Sequence, residues 1–551
     1  MKRRILSLLL VLVLVMSAFT ACGKQTANNG GSNVTDNSGD NNNAEDNGGE
    51  DDSVEEAVSY LSLRRTSDGE SEYEDLGETY ECRIRCSYTM LELQDEDATL
   101  YPELSRALKA LNEEIKEGVI IEYADYDQWS KDAIANDEPV YFPYYVDRDM
   151  LVRRADSLVL SLSIPYSNYS GGAHGWSGDF PRSFDSKTGK EIKFNDIVKD
   201  IDKMYDYITE RLEDKYSEEW DMFIQFDTDS DPYELYKSGD ATQNFYFGNE
   251  GITVIFNPYD LAAYAAGSQQ VYIPYKGNED LFVDGRYFED HMDNYAITIQ
   301  PGETYCGDIF GDGTEGSFSV CASVNSDDYD YVENMYFNVN GESYELSAAF
   351  YAFSQNAYLI RNDKGDVYCY FVTSEFNDYR IVYVYKVEKT GVQLVDAGSF
   401  GIWAPAPSGD DWWAWGGIIT DPDNFYIDYR TDVLGTTHIH TLAKIGDDGM
   451  PEEYESVYEF GNRFDLTLLQ DITVDTVSEA GDKTGTLTLK AGDIVRAYRT
   501  NEKPYRENSE VYVDLLTKDG TIIRINVTNE YPFEVDGIPM DELFDGIMYA
   551  G

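Results

Sequence analysis

Apolar residues run almost unbroken from Ile5 to Met16, behind the cations Lys2, Arg3 and Arg4 and ahead of small residues that end at Cys22. The run falls short of the ~20 residues that a permanent membrane span needs. Its basic, then apolar, then small order is that of a secretory leader, over residues 1–22. Residues 25–57 are almost all Asn, Gly, Ser, Asp, Glu and Thr. Such a stretch buries too little apolar surface to offset chain entropy, so residues 23–57 read as a disordered tether.

Periodicity begins near residue 58. Tyr80, Cys82, Ile84, Cys86 and Tyr88 alternate onto one strand face. Leu104, Leu108, Leu111 and Ile115 recur at helical spacing between Pro102 and Gly118, which predicts a helix ending at that glycine. A second helix is expected over 126–135, and strands over 141–145 and 157–165. A Gly-rich loop covers 170–175. A helix over 192–216 follows, with Ile201, Met204, Tyr205, Ile208 and Leu212 as its stripe. Two strands turn at Asn249-Glu250-Gly251, a short helix follows Pro258, and a strand closes the segment at 270–274. This mixture predicts an α+β domain over 58–280.

From about Tyr295 the helical period disappears. Short runs rich in Tyr, Val, Ile and Phe alternate with polar residues and tight turns. They predict an all-β domain over 290–478, a sandwich or partial propeller. Residues 481–551 carry four more short strands and read as a small SH3-like barrel.

Beyond the tether ~490 residues remain, too many for one core, which gives a prior of two to four domains. The 45 tyrosines mark this body as globular, and the net charge is −62. That charge repels nucleic acid and anionic lipid, and attracts cations and basic proteins at a rate that falls with salt. Past Cys22 the cysteines are Cys82, Cys86, Cys306, Cys321 and Cys369. The odd number leaves at least one unpaired; Cys306 and Cys321 flank a turn and are the pair that could bond.

Several residues carry candidate chemistry. Phe19-Thr20-Ala21-Cys22 resembles a bacterial lipobox. It implies acylation at Cys22 and a lipid anchor on the extracytoplasmic face of a bacterial membrane. His174 lies in the loop Ser170-Gly171-Gly172-Ala173-His174-Gly175, as a ligand contact or as a turn residue. No nucleophile lies near it for a triad. His438 and His440 share a strand face, half a zinc site without a third ligand. Asp308, Asp312 and Glu315 resemble the calcium loop of FG-GAP-type propeller blades; no other cofactor is implied. Asp227 to Asp231 begins like an EF-hand loop, but Pro232 replaces the required Gly. Trp403, Trp412, Trp413 and Trp415 could stack on sugar rings or pack internally.

Three ordered stretches carry a family resemblance: Ser157 to Ile164 running into Tyr169 to Gly175; Phe184 to Lys190 followed by Phe194-Asn195-Asp196-Ile197; and Phe245-Tyr246-Phe247 followed by Val254 to Gly267. They resemble the extracytoplasmic module of RsiV-type anti-sigma factors. The same module precedes the catalytic domain of PdaC-type peptidoglycan deacetylases. Ala263 stands where that family more often has Pro. The resemblance covers about residues 58–276 and implies binding of a cationic protein of the lysozyme type. The His-x-x-x-His pair of the deacetylase is absent from this sequence, so its Asp-Asp pairs have no such partner. The expectation is a non-enzymatic surface lipoprotein with Gly171, Gly172, His174, Tyr259, Trp412 and Trp413 as ligand contacts. Two alternatives remain open: wall-glycan binding by the Trp-rich region, and an accessory role to a cell-wall deacetylase or hydrolase.

Overall fold

The computed structural model describes residues 58–75, 80–136, 143–216, 231–289, 291–325, 331–374, 380–405, 415–461, 463–503, 510–529 and 531–549. The leader, Cys22, the tether, most of the EF-hand-like stretch, Trp412 and Trp413 lie outside the described residues.

The first part is α+β, as expected. A long hairpin, β1 (Leu63–Asp75) and β2 (Tyr80–Leu93), leads through the short α1 (Asp95–Leu100) into α2 (Pro102–Ala135). Then come β3 (Tyr144–Arg148), β4 (Leu151–Ala155), β5 (Val159–Ser163), β6 (Pro165–Tyr169), β7 (Trp176–Asp179) and β8 (Arg182–Asp185). β1, β2, β3, β6 and β7 lie side by side in one sheet, and β4, β5 and β8 form another. The predicted stripe of Leu104, Leu108, Leu111 and Ile115 is buried on α2, but the helix does not stop at Gly118. Val119 and Tyr126 continue the buried stripe, and this burial outweighs the ~1 kcal/mol cost of an internal glycine. A Cβ at position 118 would come within 3.2 Å of Arg148 Nη1, so the glycine makes room for that guanidinium.

The predicted strand over 157–165 divides between the two sheets. The Ile164 N–H donates to Asp179 Oδ1 at 2.8 Å and Pro165 has no N–H, so the ladder is interrupted there. The predicted helix over 192–216 also divides. Phe194–Ile197 forms α3, Val198 bridges to Phe282, and α4 (Ile201–Lys215) restarts where the Asp200 carboxylate caps the Lys203 N–H at 3.3 Å. After α5 (Glu234–Ser238), the strands β9 (Asn244–Phe247), β10 (Gly251–Phe256) and β11 (Gln269–Pro274) form a three-stranded sheet. Met204, Tyr205, Ile208 and Leu212 of α4 share a core with Phe245, Val254 and Phe256 of that sheet. The short helix expected after Pro258 is a single 3₁₀ turn, Tyr264–Ala266.

Residues 295–398 form two sheets around one core. Tyr295–Ile299 (β12) joins the strands between 354 and 398, while Thr304–Gly307 (β13) joins those between 316 and 351. Ile297, Leu359 and Phe371 from one sheet meet Phe318, Val320 and Phe337 from the other, a sandwich arrangement. The strands of 481–551 form no closed barrel among the described residues. Ile494–Thr500 pairs with Tyr458–Phe460, so the end of the chain joins the preceding strands in a twelve-stranded sheet. Trp415–Gly417 returns to pair with β1 at the edge of the first sheet.

Candidate functional site

The loop between β6 and β7 stands at the free edge of the first sheet. Gly171 and Gly172 have φ of +86° and +118°, the left-handed region that glycine reaches without a Cβ penalty. A Cβ on Gly171 would sit 2.4 Å from the Tyr144 hydroxyl oxygen. The loop is pinned from beneath by the Tyr169 hydroxyl, which donates to the Gly172 carbonyl at 3.0 Å. Its tip presents His174, exposed, with Nδ1 2.7 Å from the Gly175 carbonyl.

A second loop, after β10, meets the first. The His174 ring stacks on Tyr264, with centroids 4.3 Å apart and planes 21° apart. Tyr259 lies 5.7 Å from Tyr264 and is 60% exposed. Its φ of +77° is unusual for a residue with a side chain. The turn is held by the Asp260 carboxylate, which accepts the Asn257 N–H at 2.8 Å, and by the Tyr259 N–H, which donates to Ala262. Burial raises the Asp260 carboxyl above its usual range. Thus Gly171, Gly172, His174 and Tyr259 are brought together, with Tyr264 between them. Tyr264 lies in a stretch that carries the resemblance, but only the stacking marks it as part of the site.

The other predicted chemistry does not assemble. The Asp308 carboxylate is filled by backbone N–H groups of Gly311, Asp312 and Gly313 at 2.8, 3.2 and 2.7 Å. Asp312 holds Lys389 and the Thr314 hydroxyl, and Glu315 pairs with Arg211 and Lys215, each at 3.2 Å. The three acids are therefore turned to separate partners and form no calcium site; among the described residues no cluster of three metal-ligating side chains occurs. Behind this loop lies a cavity of about 20 Å³ lined by Glu250, Tyr272, Asp308 and Arg361. It has room for about one water. A hydrogen bond from His291 lowers the Glu250 pKa, while burial raises that of Asp308.

His438 and His440 are also put to separate uses. His438 Nδ1 lies 2.8 Å from the buried Asp428 carboxylate, which stays below its usual pKa despite its burial because His438 and Arg380 face it. His440 stacks on the buried Trp403 at 3.6 Å, and burial pushes its pKa down to about 4. Cys306 and Cys321 are both free: Cys306 faces Ser317 across the ladder and Cys321 faces Tyr336.

Residues 98–177 match the family model "Deacetylase PdaC". Residues 194–276 match a second model, "Protein of unknown function (DUF3298)". The Gly-rich loop and His174 therefore belong to the PdaC-like segment, whereas Tyr259 and Tyr264 belong to the DUF3298 segment. The stacked rings join the two. No curated protein matches the chain. A DUF3298 family protein from Bacteroides fragilis NCTC 9343 is similar at 18% identity and TM-score 0.30, over 41% of this chain and 96% of its own. One from Pseudomonas aeruginosa PAO1 is similar at 15% identity and TM-score 0.28, over the same shares.

Proposed function

We propose that this chain is a non-enzymatic receptor, anchored by lipid at Cys22 to the outer face of a bacterial membrane, that binds a cationic protein of the lysozyme type. The binding surface in this reading is the His174, Tyr264 and Tyr259 stack on the paired loops. That stack is the observation that carries the proposal: three rings, two of them well exposed, where the glycine loop, pinned from beneath by Tyr169, meets the loop after β10. Rigid aromatic anchors are the usual centres of protein interfaces. The charge of −62 supplies long-range attraction for a basic partner. The resemblance to RsiV-type ectodomains supplies the partner's class.

Titration of the full-length protein with lysozyme at rising ionic strength tests this. Affinity is expected to fall steeply between about 50 and 500 mM salt, as screening shortens the reach of surface charge. Tyr264→Ala is expected to weaken binding about 30-fold or more, the size of an interface hot spot, with an unchanged melting temperature. No binding at low salt by the folded protein would overturn the reading. Anchoring is tested separately. Cys22→Ser is expected to move the protein from the membrane fraction to the soluble one, and retention of the variant in the membrane would refute lipidation there.

A further inference from the structure

A second aromatic surface lies on the face of the first sheet that carries α2. Alternation along β6 sends Tyr166 and Asn168 to this face, opposite to Tyr169 and the loop stack. Trp176 on β7 faces Asn168 across the ladder, and Gly178 faces Tyr166. A Cβ at position 178 would lie 2.4 Å from the indole Cη2, so the indole rests directly on the bare backbone of Gly178. The Trp176 ring packs with Tyr166 at 5.5 Å and with Phe180 at 5.8 Å, and Tyr166 and Phe180 are 6.3 Å apart. Phe180 is 43% exposed. β7 is the last strand of the sheet, so no further strand covers this group among the described residues.

The polar groups around the rings balance one another. The Tyr166 hydroxyl donates to Glu122 of α2 and accepts from the Asn168 amide. Arg148 pairs with the same Glu122 at 2.9 Å, and its guanidinium lies 4.7 Å over the Tyr166 ring. One cation and one carboxylate cancel. In a chain of net charge −62 this leaves a locally neutral aromatic island. Farther along α2 Trp129, 48% exposed, stacks on Tyr126 at 5.3 Å.

We propose that Trp176, Tyr166 and Phe180 form a stacking platform for an uncharged hexopyranose chain, distinct from the His174 and Tyr264 surface. The C–H face of a sugar ring is slightly positive and matches the negative face of an aromatic ring. Sugar hydroxyls can donate to a carboxylate, accept from a guanidinium and do either with an amide, the three kinds of group around the platform. A nucleic acid is repelled by the overall charge. The Glu122 carboxylate that a cationic protein would seek beside these rings is already paired with Arg148. Affinity for the sugar therefore does not depend on net charge, unlike affinity for a basic protein.

Titration of the full-length protein with a neutral β-1,4-linked N-acetylglucosamine hexamer tests the platform. Binding is expected, and it should change less than about twofold between 50 and 500 mM salt, because no net charge is paired. Trp176→Ala is expected to weaken it at least tenfold. Phe180→Ala, at a half-exposed position, is expected to weaken it several-fold and serves if the first variant does not fold. Tyr264→Ala should leave sugar binding unchanged. Absence of binding at millimolar hexamer, or equal binding by both platform variants, would overturn the proposal. So would loss of lysozyme binding in the platform variants without any sugar binding, which would make this surface a protein contact. Failure of the lysozyme experiment leaves this one intact, since the two use different variants and opposite salt dependences.

Discussion

Arg153→Met is expected to lower the unfolding free energy by about 3–5 kcal/mol, the cost of removing one partner from a buried ionic group. Arg153 on β4 is buried, and its guanidinium crosses between structural layers. Nη1 donates to the Thr298 carbonyl of β12 at 2.7 Å, and Nη2 donates to the Ser163 hydroxyl of β5 at 3.0 Å and to Glu303. The Ser163 hydroxyl in turn donates to Asp179 at the end of β7. Tyr246 and Tyr305 flank the guanidinium at 5.3 and 5.5 Å. One cation thus serves two carboxylates, and without it they are left with like charge in a largely buried space.

The same cluster sets a pH dependence. Burial raises the Glu303 carboxyl from 4.5 to about 7, opposed by Arg153 and assisted by Asp179. The folded state therefore holds a proton that the unfolded chain releases more readily. Stability from this group is complete below about pH 4.5 and is lost as pH rises through about 7. Glu303→Gln, which imitates the protonated acid, is expected to flatten that part of the profile. The deficit of Arg153→Met should be greatest at pH 8 and smaller at pH 5, where Glu303 accepts a proton. Denaturant unfolding at the two pH values measures both effects. An Arg153→Met deficit that does not change with pH would refute this coupling of Arg153 to Glu303 protonation.

The second large effect is expected at Asp514. Its side chain is 0% exposed and holds Arg499 Nε at 2.9 Å and Arg524 Nε and Nη2 at 2.7 and 2.9 Å. Asp514→Ala leaves two guanidinium groups without their shared acceptor and should cost about 3–5 kcal/mol. Asp514→Asn, which retains one oxygen acceptor, should cost less. The loss should concentrate in the hairpin Val511–Thr517 and Ile522–Val527, whose amide protons would exchange faster. Uniform exchange across the whole chain would place the damage elsewhere.

Glu303 is not legible in the sequence because it stands far from its partner. Arg153 and Glu303 are 150 residues apart, and their pairing depends on where β12 is laid against β4. The converse holds for Asp308, Asp312 and Glu315. Their spacing imitates a calcium loop, yet short polar loops satisfy their own N–H groups with the same carboxylates, and only the direction of each side chain separates the two outcomes. Gly171 and Gly172 were legible because their φ values are a local demand that glycine alone meets easily. Gly118 misled, because a glycine within a buried stripe reads like a helix end until the neighbouring Arg148 is known.

What the sequence determined by itself was therefore local: the buried stripes of α2 and α4, the alternation of the strands, and the glycine loop that carries His174. These follow from periodicity and backbone sterics, which act within a few residues. The tertiary structure decided which side chains meet: Tyr264 under His174, the Trp176 indole on Gly178, and Arg153 between two carboxylates. It also decided that the strands at the end of the chain extend an existing sheet. Such pairings depend on long-range packing, where elements that match locally compete for the same faces, and no short stretch of sequence records the winner.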